Sequence, residues 1–249
     1  MPLHTADALI LRTYKLGEAD RIVVFLTRDR GKKRGVAKGA RRPRSRFVGA
    51  LEPLTHVRVA YFEKEGRELV GLNYAETINS PLALIGPTGP PKGGPYEEGN
   101  RGARHEEERR RGRLQAAQAS DALGFVGYFA ELLDECAQDA DADDRLYRLG
   151  ASMLEALAAG APVEPLARYF EYWLLRLQGV YPESRGSLSD GALRFLADSR
   201  GVPPHRVGDV PADRGVLREL ENVHRTLITM HLEKTLKSDR VLRDLRRHA

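Results

Sequence analysis

The sequence predicts an α+β multi-domain protein, an N-terminal five-stranded β-barrel followed by a C-terminal α-helical bundle. Two observations carry this. Apolar residues in the first eighty positions form short or alternating runs separated by turn residues, whereas beyond residue 113 they recur at threes and fours. Between the two lies a stretch nearly devoid of apolar side chains. The expected parts are 1–80, a barrel; 81–113, a linker or insert; and 114–249, a helical domain.

Five candidate strands justify the barrel. Ala8 to Leu11 and Ile22 to Leu26 are continuous apolar runs, Lys32 to Gly39 alternates, and Thr55 to Phe62 and Leu69 to Ala75 complete the set. Period-two alternation in the third places Lys32, Arg34 and Lys38 on one face and Gly35, Ala37 and Gly39 on the other. Five short strands ahead of any long helix fit a closed barrel of the oligonucleotide-binding (OB) type, with an open meander as the structural rival.

Residues 87–113 hold ten Pro or Gly and twelve charged residues, with Tyr96 and Ala103 nearly the only apolar side chains. Such a segment buries too little surface to offset its ordering entropy, so a disordered or poorly ordered insert is expected. Glu106 and Arg110, four apart, support at most a local turn of helix.

Beyond the insert, three helical stripes follow: Leu123, Val126, Phe129, Leu133 and Cys136; Leu146, Leu149, Met153 and Leu157; Leu166, Phe170, Trp173 and Leu177. A shorter helix is expected after Leu188, and a last long one carries Leu217, Leu220, His224, Leu227 and His231. About five helices make a bundle.

Charge points to a ligand. The net charge is +5, yet residues 1–50 alone hold thirteen Lys or Arg against four acids, so the remainder is net negative. Ten of these cations, Arg28, Arg30, Lys32, Lys33, Arg34, Lys38, Arg41, Arg42, Arg44 and Arg46, face a single acid, Asp29, within one segment. A run of that density repels itself and calls for a solvated loop or a polyanionic partner such as nucleic acid. Arg41, Arg42, Arg44 and Arg46 around Pro43 read as a flexible clamp beside a more rigid strand. Phe47, Tyr61, Phe62 and Tyr74 are either base-stacking platforms or barrel core.

Catalytic signatures are missing. The sequence has no glycine-rich loop ending in Gly-Lys-Ser/Thr and no G-x-S-x-G, H-E-x-x-H or C-x-x-C motif. In "DADADD" (139–144), Asp144 stands where a calcium loop needs glycine, so the reading is a solvated loop whose acids start the next helix. His224 and His231 share a helical face but lack a third ligand, which favours a core or partner-facing role over metal. Lys234 and Lys237 beside His231 either dock an acidic partner peptide or seat the barrel against the bundle. One cysteine excludes a disulfide framework, and neither a leader peptide nor an eighteen-residue apolar run is found. A cytoplasmic protein without membrane attachment is expected.

Residues 8–59 closely resemble the N-terminal region of the RecO family of bacterial recombination-mediator proteins, through "GEADRIVVFLT", "GKKRGVAKGARRPRSRF" and "LEPL". The resemblance resumes at "LARYFEYWLLRLQGVYPE" (166–183) and "HLEKTLKSDRVL" (231–242). It implies an OB barrel joined to a helical domain, and a non-enzymatic, nucleoid-associated DNA-repair protein. The implied activities are binding of single- and double-stranded DNA, annealing of complementary strands, and loading of RecA onto DNA coated by single-strand-binding protein. RecR and the acidic tail of single-strand-binding protein are the implied partners. An RNA-binding OB adaptor is the alternative. Two departures stand out: many members carry a four-cysteine zinc module just after the position of "GVYPE", where this chain reads "SRGSLSDGALRF", and the Pro/Gly-rich insert is foreign to the pattern. The zinc site is expected to be absent, and no other cofactor is expected.

Overall fold

The computed structural model describes residues 2–64, 66–81, 122–182, 188–239 and 241–242. The Pro/Gly-rich segment, and with it the expected insert, lies outside them. β1 (Leu3–Leu16), β2 (Asp20–Thr27), β3 (Gly31–Ala37), β4 (His56–Phe62) and β5 (Leu69–Asn79) close into a barrel in the order β1-β2-β3-β5-β4. Neighbours are antiparallel except β3 and β5, which run parallel from Arg34 opposite Leu69 to Ala37 opposite Leu72. This parallel pairing closes the sheet and leaves no free edge, so the barrel, rather than the open meander, is the fold. β1 is long enough to pair with both β2 and β4, and a register shift between Ile10 and Arg12 marks the bulge that bends it.

Alternation fills the barrel with Ala8, Ile10, Val23, Phe25, Val57, Val59, Tyr61, Val70 and Leu72. The intervening Leu9, Leu11, Val24 and Leu26 point outward, yet they too are buried, because the helical domain packs over them. Burial on both faces is why the runs at 8–11 and 22–26 are apolar without a break. From residue 38 to the start of β4 the chain makes successive turns that send Phe47, Ala50 and Leu51 into the barrel core and Leu54 into the helical core.

β3 is shorter than expected. It ends at Ala37, where the Gly39 backbone N–H donates to Asp20 Oδ1 at 2.7 Å and turns the chain aside. Lys38 therefore does not share a strand face with Lys32 and Arg34; Val36 takes that place, while Gly35 and Ala37 point inward as anticipated.

The bundle holds α1 (122–136), α2 (Asp144–Ala158), α3 (Val163–Leu177), α4 (Asp190–Ser199) and α5 (Arg214–Leu232), with a 3₁₀ turn at Pro204–Asp209 before α5. Asp143, Ser189 and Asp213 cap α2, α4 and α5 by accepting backbone N–H bonds. Phe129, Leu133, Leu146, Met153, Leu166, Phe170 and Leu220 meet in the core. One buried polar network crosses it: Glu171 accepts from the Tyr128 hydroxyl and from Arg168, both at 2.7 Å, and its other oxygen lies 3.0 Å from His224 Nδ1. His224 is thus a core residue and His231 is exposed, and no metal-binding cluster occurs among the described residues.

Candidate nucleic-acid interface

The ten cations divide into two sets. Arg28 binds Asp144 at 2.8 Å, Arg30 lies 3.6 Å from Asp29, Lys33 binds Glu63 at 2.7 Å, and Arg34 lies 3.6 Å from Asp139. Lys32 is the most enclosed, with 11% of its side chain exposed, 3.6 Å from Asp134 and 3.8 Å from Asp139. Its ammonium also donates to the Asp134 backbone carbonyl at 2.7 Å. Lys38, Arg41, Arg42, Arg44 and Arg46 are exposed and have no carboxylate partner among the described residues.

Three of the paired cations form a seam between barrel and bundle. Asp134 lies on α1, and Asp139 and Asp144 flank the α1–α2 connection. The same seam includes Arg12 of β1, within 3.3–3.8 Å of Glu131, Asp134 and Glu135. Backbone groups close it: Lys32 N–H donates to the Gln138 carbonyl at 3.1 Å, and Ala140 N–H donates to the Lys32 carbonyl at 3.0 Å. The "DADADD" stretch is accordingly more than a solvated loop. Asp143 caps α2 as expected, while Asp139 and Asp144 hold barrel cations.

The unpaired set sits on an anchored turn. Phe47, 2% exposed, plugs the barrel, and Arg46 stacks its guanidinium 5.1 Å above that ring. Arg41 donates to the Gly17 carbonyl from its guanidinium and to the Ala19 carbonyl from its backbone, both at 2.9 Å, fixing the turn against the β1–β2 connection. The turn expected to carry a flexible clamp is thus anchored at both ends, at Arg41 and at Phe47, and presents its cations as a platform. Of the four aromatic candidates, Phe47 and Tyr61 are core, Phe62 is half-buried and Tyr74 is exposed. Burial raises the Tyr61 phenol to about 12.

Pairing also tunes the acids: the hydrogen bond from Lys33 holds the Glu63 carboxyl below its ordinary value. At the other candidate surface, Lys234 pairs with Glu135 of α1, and Glu131 accepts the backbone N–H groups of Lys237 and Ser238 at 3.1 and 2.7 Å. Lys234 therefore helps fasten the segment after α5 to the helix that carries the seam. His231 and the Lys237 side chain stay exposed.

Sequence reasoning missed Arg12, whose role depends on acids more than a hundred residues away. It also missed Lys64 and Arg67 in the β4–β5 turn, exposed and free of carboxylate partners among the described residues. The interleaved charges of "EKEGRE" (63–68) hid that pair.

Comparison with known proteins places both halves. Residues 1–81 match the model "Recombination protein O N terminal" and residues 117–187 match "Recombination protein O C terminal". Relatives named DNA repair protein RecO include that of Koribacter versatilis, 36% identical over 73% of this chain and 61% of the relative. The Anaeromyxobacter sp. (strain K) protein is 32% identical over 78% of this chain and 66% of the relative, and the Bifidobacterium adolescentis protein is 56% identical over 35% and 33%. The matched region thus spans less than two thirds of these relatives' length. No described helix is long and apolar enough to cross a membrane. With an OB-type barrel and a helical domain each matching its own family model in the same order, the chain belongs to the RecO family.

Proposed function

We propose that this chain is a non-enzymatic mediator of DNA repair and recombination. It binds single- and double-stranded DNA through the turn at residues 38–46, anneals complementary strands, and helps RecA onto DNA coated by single-strand-binding protein. One observation carries the reading: five exposed cations without carboxylate partners among the described residues stand together on a turn pinned to the barrel by Phe47. Cations so placed release counterions from a phosphate backbone and remove the repulsion that keeps two strands apart. Arg28, Arg30, Lys32, Lys33 and Arg34 begin with internal partners, so the 38–46 turn makes first contact. RecR and the acidic tail of single-strand-binding protein are the proposed protein partners, with His231 and Lys237 as exposed contacts and the nucleoid as the place of action. Tethering of this kind raises the local concentration of barrel near exposed strands.

The chain works without zinc in this reading. Its single cysteine, Cys136, is buried, with its thiol pushed up to about 12 by that burial, so a four-thiolate module lacks its donors.

The test is salt-titrated binding and annealing by wild type and by a Lys38→Ala/Arg42→Ala/Arg44→Ala variant. Three lost phosphate contacts lower the single-strand log–log salt slope by about 2, and annealing drops with it. An unchanged slope rejects the platform. DNA and RNA of equal length, compared in the same assay, separate this function from that of an RNA-binding adaptor.

A further inference from the structure

A second cationic surface lies at the opposite end of β3. The strand runs from Gly31 to Ala37, about 20 Å, with the 38–46 turn beyond its end and the β4–β5 turn beside its start. There a cleft of about 760 Å³ is lined, among the described residues, by Lys32, Lys33, Arg34, Lys64 and Arg67 together with Glu63, Glu68 and Asp139, five described cations against three described acids. Resting on the DNA-binding function proposed above, we propose that this cleft receives a second phosphodiester segment. Arg34, Lys64 and Arg67 are its phosphate contacts, and Asp139 is the resident counter-charge that the incoming backbone displaces.

The strength of each pair shows which cations are available. Lys32 is enclosed and also tied to a backbone carbonyl, and Lys33 is committed to Glu63 at 2.7 Å, so both stay where they are. Arg34 is 51% exposed and its partner Asp139 is 62% exposed, at 3.6 Å. A solvated ion pair that long contributes little, and a phosphate replaces the carboxylate at small expense. Lys64 and Arg67 have no carboxylate to give up among the described residues, whereas Glu68 opposes the ligand from the rim. Arg34 stands three residues before Ala37, about 10 Å along the strand, which corresponds to about three phosphates along one strand of B-form DNA, and Lys64 and Arg67 lie farther from the 38–46 turn. The two surfaces therefore hold either a continuous strand at two points or two strands side by side, and both geometries serve annealing.

The experiment measures anisotropy of a fluorescent single-stranded oligothymidylate against a salt series, using the full chain. Lys64→Ala/Arg67→Ala should lower the log–log slope by about 1.4, two contacts at roughly 0.7 each. Asp139→Asn should act in the opposite direction, tightening binding several-fold at low salt. An unchanged slope for the first variant overturns the proposal, as does unchanged or weaker binding for the second when its urea midpoint matches wild type. The Lys38→Ala/Arg42→Ala/Arg44→Ala variant is the reference arm. If it weakens binding while Lys64→Ala/Arg67→Ala does not, the cleft alone is refuted; if all variants bind like wild type, the barrel reading falls as well. Lys64 and Arg67 are exposed turn residues, so the first variant keeps the test open even if Asp139→Asn loosens the seam.

Discussion

Replacing Gly31 by alanine tests whether the barrel and the acidic connection are pressed together as tightly as the geometry shows. Gly31 has φ of +66°, and a Cβ there would stand 2.5 Å from the backbone nitrogen and carbonyl carbon of Asp141. The left-handed conformation alone costs an alanine about 1–2 kcal/mol. Relief of the clash requires the 138–141 backbone to withdraw. That breaks the two bonds between Lys32 and residues Gln138 and Ala140, each worth about 0.5–1.5 kcal/mol. The total is about 2–5 kcal/mol. Gly49→Ala is the internal control, because Gly49 has φ of +75° with nothing within 4 Å of its Cβ position, so it suffers only the conformational part. Urea unfolding of the full chain, followed by fluorescence of the single tryptophan, Trp173, reads both. Gly31→Ala should be the worse by about 1–3 kcal/mol, the value of the two bonds. Equal losses would refute the close approach at Asp141.

Two further outcomes follow from a buried and a half-buried group. Glu171→Ala strips the nearly buried Arg168 and the buried His224 of their carboxylate, and breaking such a pair should lower stability by about 3–5 kcal/mol in the same unfolding assay. A loss below about 1 kcal/mol would show that Glu221, 3.4 Å from Arg168, compensates. His56 lies 2.8 Å from the Tyr147 hydroxyl, and its burial lowers the imidazole below its ordinary 6.5. The unfolded chain then takes up a proton more readily than the folded one, so stability falls as pH drops below about 6.5 toward the folded value. Urea midpoints at about pH 7.5 and about pH 5.5 should differ less in His56→Gln than in wild type; an identical pH response in both would remove His56 from the account.

Much of the fold is legible because it rests on local patterns. The five strands and the helical stripes follow from spacing, and the acids of "DADADD" announce the start of α2 that Asp143 caps. The end of β3 was not legible, since it depends on Asp20, at the far end of the paired strand β2, accepting the Gly39 N–H. The candidate site was half legible. Composition shows ten cations together, but it cannot show that Asp134, Asp139 and Asp144, more than ninety residues onward, hold three of them. Likewise, the anchoring of the 38–46 turn depends on Phe47, whose place inside the barrel no period-two or period-3.6 pattern encodes.

Leu9, Leu11, Val24 and Leu26 on the outer wall of the barrel belong to the same core as Phe129 and Leu133. The N-terminal module is consequently not a transplantable unit. Excised at residue 80, it would carry an oily stripe into water and leave Arg12 and Lys32 without counter-ions, while the orphaned bundle would present a bare acidic flank. Hybrids that exchange barrels between relatives succeed only when the matching wall of the bundle travels with them.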